Sequence, residues 1–297
     1  MKENKLCPLC KSDRYFILNK IETYKIIKNY SSNIKVKHFF EDLKAIKKLE
    51  CECCGIVFFD HIVEWDSNYY QSISWWHNYY NTQKREFNEA IEAIKKYKPN
   101  SLLEIWCGNG YFLEKLSNVI KEIAWTELNQ EAIKLCTEKW INIVDPIKTD
   151  QHWKYDMVVS FQVFEHINDA HDMIELVKKL LKPNWIFLLA VPNPNWYLKH
   201  IWNIRDMPPH HVLLWTKSSF EYLWEFWLDM ITYIEEGLSY QTFLHYIWWI
   251  QDLPQSKLIR FFTNLQKYWL YFIWPSIYAK NKFDITWHTH IGIFKRI

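Results

Sequence analysis

The most informative segment of this chain is Leu103-Glu104-Ile105-Trp106-Cys107-Gly108-Asn109-Gly110. It is an apolar segment that enters a turn containing two of the 5 glycines in 297 residues. A turn of this kind favours glycine at position 106 as well, because the backbone must bend sharply and lie close against a ligand. The residue there is tryptophan. The segment therefore has the pattern of a ligand-binding loop with one bulky side chain where none is expected.

Tryptophan is over-represented along the whole chain. There are 18 Trp and 5 Gly, whereas a chain of this length has about 20 Gly at ordinary usage. We hypothesise that the gene comes from a lineage that reads UGA as glycine and was translated with a code that reads UGA as tryptophan. The alternative is a natively tryptophan-rich protein, and UGG codons would establish it. The tryptophans at breaks where turn chemistry favours glycine are Trp106, Trp140, Trp153, Trp185, Trp227 and Trp287.

Charge and hydropathy patterning exclude several classes of protein. A formal charge of +2 gives no electrostatic reason to expect a polyanionic partner, so no nucleic acid is expected. Residues 1–5 lack the apolar stretch of a secretory signal. The longest apolar and aromatic run, 268–278, is interrupted by Pro275 and is too short to span a bilayer. We therefore expect a cytoplasmic protein whose 7 cysteines are thiols or metal ligands rather than disulfides.

Two cysteine knuckles near the N-terminus predict a metal site. They are Cys7-Pro8-Leu9-Cys10 and Cys51-Glu52-Cys53-Cys54-Gly55. Each C-x-x-C turn presents two soft thiolates, and four complete a closed structural zinc site with no open position for water. The alternatives are surface thiols, or a site in which Cys53 replaces Cys51 or Cys54. The predicted zinc ligands are Cys7, Cys10, Cys51 and Cys54.

From residue 99 onward, predicted strands alternate with predicted helices. Apolar segments that predict strands lie at 102–105, 122–126, 141–144, 156–161 and 186–191. This alternation is typical of a parallel sheet that is covered by helices on both faces. The sequence therefore predicts an α/β fold.

The remaining segments give the domain organisation. Residues 1–65 are predicted to form a small N-terminal zinc ribbon, and 66–98 a linker helix. The α/β domain covers 99–297 and includes a C-terminal helical insertion or lid at 238–285. A helix is predicted at 218–228 and a final strand at 289–295, which fits an antiparallel last strand.

Three segments together resemble the motifs of class I S-adenosylmethionine (SAM) methyltransferases. With glycine at 106, the loop reads E-x-G-x-G-x-G, their motif I. Glu127 follows Gly110 by 17 residues, at the end of the second predicted strand. The segment Phe161-Gln162-Val163-Phe164-Glu165-His166-Ile167 is similar to the E-H-(V/I) signature that follows motif IV. The resemblance covers residues 101–235, continues more faintly to 297, and implies a Rossmann-like, mostly parallel sheet.

The same resemblance implies SAM as cofactor. The backbone of the loop would wrap its methionyl part, and Glu127 would accept hydrogen bonds from both ribose hydroxyls. A dinucleotide is the alternative, but its motif requires a third glycine where this chain has Leu113. The expected cofactor-binding residues are Glu104, Trp106, Cys107, Gly108, Gly110, Glu127, Asp145 and Gln162.

The layout of ribbon, methyltransferase core and the late segment Pro208-Pro209-His210-His211 is similar to a bacterial group linked to methylation of saccharides and other small molecules. A hydroxyl acceptor benefits from a general base with a pKa near neutral, and histidine is the first candidate. In some quinone-pathway relatives an acid beside the E-H pair holds a divalent cation; Gln162 occupies that region here, which argues against a catalytic metal. The candidate catalytic residues are His166, His210 and His211.

Two other interpretations stay open. The first is a zinc-ribbon nucleic-acid-binding protein with a degenerate α/β domain, which predicts salt-sensitive binding and no affinity for SAM. The second concerns the insertion, whose aromatic residues alternate with Lys257, Arg260, Lys267 and Lys280. That pattern leaves open a peripheral contact with a membrane or a lipid-linked substrate. The sequence names neither the acceptor nor the oligomeric state.

Overall fold

A computed structural model describes residues 5–30, 34–61, 63, 69, 84–138, 142–143, 152–195, 206–237 and 286–297. Within these ranges no helix has the length and apolar character needed to cross a membrane. The insertion predicted at 238–285, Asp145, Trp140 and most of the predicted linker between 66 and 83 lie outside them.

The described residues form eleven strands, six α-helices and several 3-10 turns. The strands are β1 (Tyr15–Glu22), β2 (Ala45–Cys51), β3 (Val57–Phe59), β4 (Ser101–Ile105), β5 (Glu122–Trp125), β6 (Asn142–Ile143), β7 (Tyr155–Phe161), β8 (Leu181–Pro192), β9 (Leu213–Leu214), β10 (Leu228–Gly237) and β11 (Thr286–Arg296). The helices are α1 (Thr23–Asn29), α2 (Arg85–Tyr97), α3 (Tyr111–Glu114), α4 (Gln130–Glu138), α5 (Ala170–Leu180) and α6 (Lys217–Glu221).

A seven-stranded sheet in the order β10-β11-β8-β7-β4-β5-β6 forms the centre of the fold. The pairs β8·β7, β7·β4, β4·β5 and β5·β6 are parallel, and β11 runs antiparallel to both β8 and β10. This topology confirms the predicted α/β, Rossmann-like and mostly parallel sheet with an antiparallel last strand. Because parallel strands end at the same edge, the segments that follow β4, β5 and β7 lie side by side.

The central sheet is buried on both faces, as its near-continuous apolar strands predict. Side chains alternate across a strand, so Ile186 and Leu188 of β8 pack on one face, and Phe187 and Leu189 pack on the other. The first face is covered by α2 and by residues of α3 and α4. The second face packs against α5 and against the N-terminal residues, in one continuous core.

A second, four-stranded sheet in the order β1-β2-β3-β9 crosses the boundary between the predicted domains. Its fourth strand comes from far along the chain, because Val57 and Phe58 of β3 pair with Leu214 and Leu213 of β9. The hydroxyl of Thr216 also donates to the carbonyl of Gly55 at 2.9 Å. The N-terminal unit is therefore bonded directly to the chain segment that follows His210 and His211.

The predicted helix at 218–228 is shorter in the structure, and a strand follows it. The Thr216 side chain caps the start of α6 by accepting from the backbone of Ser219. A 3-10 turn, Tyr222–Phe226, extends the helix, and Trp227 ends it in the left-handed conformation with φ 63°. The next residue begins β10, which the sequence analysis did not predict. It completes the antiparallel hairpin with β11.

Three of the tryptophans predicted to stand at glycine positions have positive φ: Trp106 at 54°, Trp153 at 54° and Trp227 at 63°. Side chains other than glycine rarely adopt this conformation because the Cβ atom crowds the backbone. Trp185 differs, since it lies inside β8 and the preceding Asn184 takes the positive φ of 67°. Trp287 lies within β11, in regular strand structure.

Trp227 and Trp224 provide a matched pair for measuring this backbone strain. Both are exposed, but Trp224 lies in the 3-10 turn whereas Trp227 takes the left-handed capping position. Trp227→Gly is expected to stabilise the fold by about 1 kcal/mol, because glycine adopts positive φ without a steric cost. Trp224→Gly is expected to destabilise it by about 0.5–1 kcal/mol. Urea unfolding measures both values, and equal destabilisation by the two changes would contradict the assignment of strain to Trp227.

Candidate functional site

Three backbone amides of the loop that follows β4 donate hydrogen bonds to residues at the end of β5. The amide of Trp106 donates to the Thr126 hydroxyl at 3.0 Å, and the amide of Cys107 donates to the Thr126 carbonyl at 3.1 Å. The amide of Gly108 donates to Oε2 of Glu127 at 2.9 Å. The structure therefore places the predicted glycine loop and the predicted ribose-binding carboxylate against each other at one edge of the sheet.

The Glu127 carboxylate is held in place by backbone amides. Its Oε1 accepts from the amides of Leu128 at 2.7 Å and Asn129 at 2.8 Å, while Oε2 faces Gly108. These bonds fix an anionic group at the tip of β5, and such a group can accept hydrogen bonds from vicinal hydroxyls. Glu127 lies at the end of the second strand, as the sequence predicts, and its role as a ribose ligand stays a prediction.

The loop itself fits a cofactor at two positions and conflicts with one at a third. Gly108 and Gly110 have φ values of 58° and 70°, so their backbones are bare where the chain turns. Trp106 adopts the same left-handed conformation, at φ 54°, but carries a half-buried indole that packs against the core. Gly108, Gly110 and Glu127 form a cradle of bare backbone and carboxylate, and Trp106 carries the bulkiest side chain within the loop 106–110.

Cys107 and Cys136 pack against each other beneath the loop. Their sulfur atoms lie 3.7 Å apart, and Sγ of Cys136 is 3.3 Å from the carbonyl oxygen of Gly108. Both side chains are buried. Cys136 lies on α4, so this pair links the loop to the helix that follows Glu127. The two cysteine side chains therefore pack the loop against α4 rather than contacting a ligand.

Glu104 and Gln162 lie at the ends of β4 and β7. Burial raises the pKa of Glu104 well above its usual range, and its Oε2 has no hydrogen-bond partner among the described residues. Gln162 has φ 57°, and its amide nitrogen donates to Oε1 of Glu86 at 3.3 Å and to the hydroxyl of Thr289 at 3.5 Å. Gln162 thus connects β7 to α2 and to β11. Asp145 lies outside the described residues.

The three predicted histidines lie together beyond the carboxyl end of β7. His166 ends the 3-10 turn Phe164–His166, and His210 and His211 precede β9. The ring centroid of His166 is 5.0 Å from each of the other two rings, which are stacked at 4.6 Å. All three side chains are buried, with exposed fractions of 5–7%. The structure therefore brings the predicted candidate bases into a single cluster.

A chain of hydrogen bonds connects this cluster to the N-terminal unit. Nδ1 of His166 donates to the carbonyl oxygen of His210 at 2.7 Å. Nδ1 of His210 lies 3.3 Å from the hydroxyl of Tyr69, which lies 3.3 Å from the hydroxyl of Tyr30. Since Nδ1 of His166 donates, its Nε2 carries the lone pair that accepts a proton or binds a metal.

A buried carboxyl group adjoins the histidines. Oε1 of Glu165 is 3.8 Å from Nε2 of His166 and 4.0 Å from Nε2 of His211. On the other side of the cluster, Oδ1 of Asp206 is 3.6 Å from Nδ1 of His211. Burial raises the pKa of Glu165 to about 8 and lowers the pKa of His166 to about 4. Both shifts have the same main cause, since burial disfavours the ionised form of each group.

The four predicted zinc ligands converge. The sulfur atoms of Cys7 and Cys54 are 3.6 Å apart, and those of Cys10 and Cys51 are 3.3 Å apart. A tetrahedral zinc ion with Zn–S bonds of about 2.3 Å separates its sulfur ligands by about 3.8 Å, so the group is close to that geometry. The hydrogen bond with Cys54 lowers the pKa of Cys7 to about 5. Cys53 is exposed and points outside the group.

The four-cysteine group contacts the α/β domain through α5. The amide of His171 donates to the carbonyl of Pro8 at 2.9 Å, and its Nδ1 donates to the carbonyl of Leu9 at 3.0 Å. Lys11 forms an ion pair with Asp169, the N-cap of α5, at 2.6 Å. The first knuckle is therefore anchored at the start of the helix that follows His166.

Four residues at these sites were not predicted from the sequence: Thr126, Tyr69, Asp206 and Glu165 as a partner of histidine. Thr126 directly precedes Glu127, and its position at a strand end was the available signal. Glu165 belongs to the E-H signature, which does not mark it as a partner of His211. Tyr69 and Asp206 have no local pattern that marks them, because their contacts with His210 and His211 form only in three dimensions.

Comparison with known proteins identifies the family. A family model described as "Methyltransferase domain" matches residues 75–264. The match covers more than half of the chain, and the sheet order and the loop after β4 agree with it. The chain belongs to this methyltransferase-domain family.

The similar curated proteins are methyltransferases as well. Ubiquinone biosynthesis O-methyltransferase of Rhodopseudomonas palustris (strain BisB5) is 27% identical over 120 residues, which are 38% of this chain and 47% of that protein. Its counterpart in Bartonella quintana (strain Toulouse) is 23% identical over 138 residues, which are 43% of this chain and 55% of that protein. The chain spans about half the length of the curated relatives it matches.

Several solved structures are similar to this chain, and two of them are as follows. A SAM-dependent methyltransferase from Archaeoglobus fulgidus has a TM-score of 0.47 at 18% identity, over 70% of this chain and 94% of that one. The PH0226 protein from Pyrococcus horikoshii OT3 has a TM-score of 0.47 at 14% identity, over 76% and 99% of the two chains.

Proposed function

We propose that this protein transfers the methyl group of SAM to a hydroxyl group of a small molecule. The single observation that carries the proposal is the contact between the loop and the carboxylate at the strand ends. The amide of Gly108 is bonded to Glu127, so the bare turn after β4 and the anion after β5 form one cradle. Such a cradle at the carboxyl edge of a parallel sheet binds a nucleoside and its attached chain.

The functional form of the protein has glycine at position 106. Trp106 takes a backbone conformation that favours glycine, at the point where the loop must lie bare against the cofactor. Trp153 and Trp227 have the same conformation at two unrelated breaks in the chain. Three tryptophans with positive φ support the hypothesis that UGA codons for glycine were read as tryptophan. Sequencing the codons at 106, 153 and 227 tests it, and UGG at all three would exclude it.

The acceptor oxygen follows from two lines of support. The curated relatives carry the name O-methyltransferase. The layout of ribbon, methyltransferase core and late segment 208–211 is similar to a bacterial group linked to methylation of saccharides and other small molecules. A saccharide hydroxyl ionises far less readily than a phenol, whose pKa is about 10. A saccharide acceptor therefore depends more strongly on a general base, which the histidine cluster supplies.

A structural zinc ion held by the four cysteines completes the proposed protein. Its support is the convergence of Cys7, Cys10, Cys51 and Cys54 near tetrahedral spacing. Four thiolates leave no open position, so the ion would stabilise the N-terminal unit and take no part in methyl transfer. Through β3 and β9 that unit holds the segment of His210 and His211 in place.

Methyl transfer tests the role of the histidines directly. In the chain with Trp106→Gly, His210→Asn and His211→Asn are each expected to lower kcat by about 100-fold or more, because proton transfer by a positioned base contributes about that factor. The assay measures tritiated methyl from SAM on saccharide and phenolic acceptors. His152→Asn is the matched control, since His152 is exposed and precedes β7, whereas the cluster follows the carboxyl end of that strand. Unchanged kcat in both the His210→Asn and His211→Asn variants would show that neither histidine acts as the general base.

A further inference from the structure

A small cavity lies between the N-terminal unit and the methyltransferase part of the chain. Its volume is about 250 Å³. Pockets for drug-sized ligands begin at about 300 Å³, so this cavity suits a smaller group, of the size of one monosaccharide. Its walls come from 5–8 and 11, from 58, 59 and 61 at β3, and from 168, 169, 212 and 213. Both parts of the chain are therefore needed to form it.

One wall of the cavity continues from the histidine cluster. Asn168 follows His166 by two residues, and Val212 directly follows His211. The amide of Val212 donates to the carbonyl of Glu165 at 2.9 Å, which bonds these two wall segments to each other. A ligand in the cavity therefore lies beside the segments that carry the candidate bases.

Lys5 gives the cavity a net positive charge. Its side chain is half-buried and forms no hydrogen bond or ion pair with another residue that the structure describes. The acid whose charge acts on it is Asp60, which also pairs with Lys47 at 3.7 Å. The second cation in the walls, Lys11, is neutralised by Asp169 at 2.6 Å. The ammonium group of Lys5 is thus available to pair with an anion.

Two neutral side chains in the walls can accept hydrogen bonds. Nε2 of His61 donates to the carbonyl of Phe39 at 2.7 Å, so its Nδ1 carries the lone pair. Nδ2 of Asn168 donates to the carbonyl of Val63 at 2.7 Å, which leaves Oδ1 as an acceptor. The apolar part of the lining consists of Leu6, Pro8, Phe58, Phe59, Val212 and Leu213. This combination matches a ring that carries both hydroxyls and an acidic group.

We propose that this cavity binds the acidic group of the methyl acceptor, and that the acceptor is an anionic saccharide with a carboxylate or a phosphate. The inference deepens the proposed function and rests on it for the transfer step. Lys5 pairs with the anion, while His61 and Asn168 accept from ring hydroxyls. The zinc ribbon then has a part in substrate binding, because Lys5 lies two residues before the ligand Cys7.

Calorimetric titration of the zinc-loaded full-length chain tests this binding without SAM. The probes are glucuronate, glucose-6-phosphate and uncharged glucose, so the two acidic sugars distinguish a carboxylate from a phosphate. We expect at least one of them to bind about 10-fold or more tightly than glucose, because a hydrogen bond to a charged group contributes about that factor. Equal affinities for the three sugars, or binding of none, would overturn the proposal.

Variants of Lys5 then assign the binding to the cavity. Lys5→Gln should lower the affinity for the acidic sugar about 10-fold, to the level of glucose, and Lys5→Arg should retain it. Lys20→Gln is the matched control, since it removes an exposed lysine of β1 that lies outside the cavity. Zinc content and thermal unfolding report whether each variant is folded. Unchanged affinity in a folded, zinc-loaded Lys5→Gln variant would contradict the assignment.

Methyl transfer by the Trp106→Gly chain separates this inference from the proposed function. Lys5→Gln in that chain should raise KM for the acidic sugar about 10-fold and leave kcat unchanged, because Lys5 binds the acceptor and moves no proton. Equal kcat/KM for glucose and the acidic sugars would overturn the inference and keep the proposed function. Binding that depends on Lys5, without transfer to any hydroxyl, would overturn the proposed function alone.

Discussion

The Trp106→Gly variant is expected to bind SAM at least about 100-fold more tightly than the chain as written, a difference of about 2.7 kcal/mol. The indole lies in the loop whose other turn positions, Gly108 and Gly110, are bare. We expect a side chain at position 106 to compete with the cofactor, because the adjoining turn bonds directly to Glu127. Glycine removes the ring and accepts the observed φ of 54° without a steric cost. Isothermal titration calorimetry of the two proteins measures the difference.

Trp153→Gly is the matched control for this experiment. Trp153 has the same φ of 54°, but it is exposed and its ring faces Arg296, on a strand away from the loop. The control should change the stability of the fold and leave the affinity for SAM as it was. If the chain as written and the Trp106→Gly variant bind SAM with equal affinity, the assignment as an enzyme stands. The hypothesis that position 106 is glycine in the native protein is then contradicted. No binding by either protein, with both folded, would favour the nucleic-acid-binding alternative.

Loss of one ligand in the four-cysteine group is expected to have the second large effect. Cys54→Ser should abolish zinc binding and lower the midpoint of thermal unfolding by about 10 °C or more, because structural zinc contributes several kcal/mol to folding. Cys54 is buried and its sulfur is 3.6 Å from that of Cys7. The neighbouring Cys53→Ser change is the control, since Cys53 is exposed. Zinc content and thermal unfolding by circular dichroism report both effects.

Equal zinc content in the Cys53 and Cys54 variants would contradict the assignment of ligands. A chelator offers an independent measurement on the unchanged chain. Removal of zinc should loosen β1, β2 and β3 and, through the pairing of Val57 with Leu214, also the strand β9. Hydrogen exchange at the amides of Leu213 and Leu214 should therefore rise together with exchange in the ribbon.

Local patterns were sufficient to predict the central sheet and the loop. The strand that ends at Ile105 and the glycines after it predicted a turn at the carboxyl edge, and Glu127 was placed correctly beside that turn because parallel strands end together. The four cysteines were found by spacing alone, since a C-x-x-C turn brings its two thiolates together wherever it lies. Each of these predictions depends on only a few residues that are neighbours in the sequence.

The features that the sequence missed depend on contacts between distant segments. Strand β9 has only two residues. It forms because Leu213 and Leu214 pair with β3, which lies more than 150 residues earlier in the chain. Strand β10 was not predicted because the helical pattern before it is strong. The helix ends at Trp227, and tryptophan is not a residue that signals a helix terminus. With glycine at 227, the sequence would have carried the usual signal for a helix terminus.

The two-residue strand β9 also has a consequence for how this protein is inherited. Leu213 and Leu214 belong to the methyltransferase part of the chain, yet they complete the sheet of the first sixty residues. A descendant without the N-terminal unit would leave this strand unpaired, and the segment with His210 and His211 would keep its bonds to the Phe164–His166 turn. We therefore expect the two parts to be inherited as one folding unit.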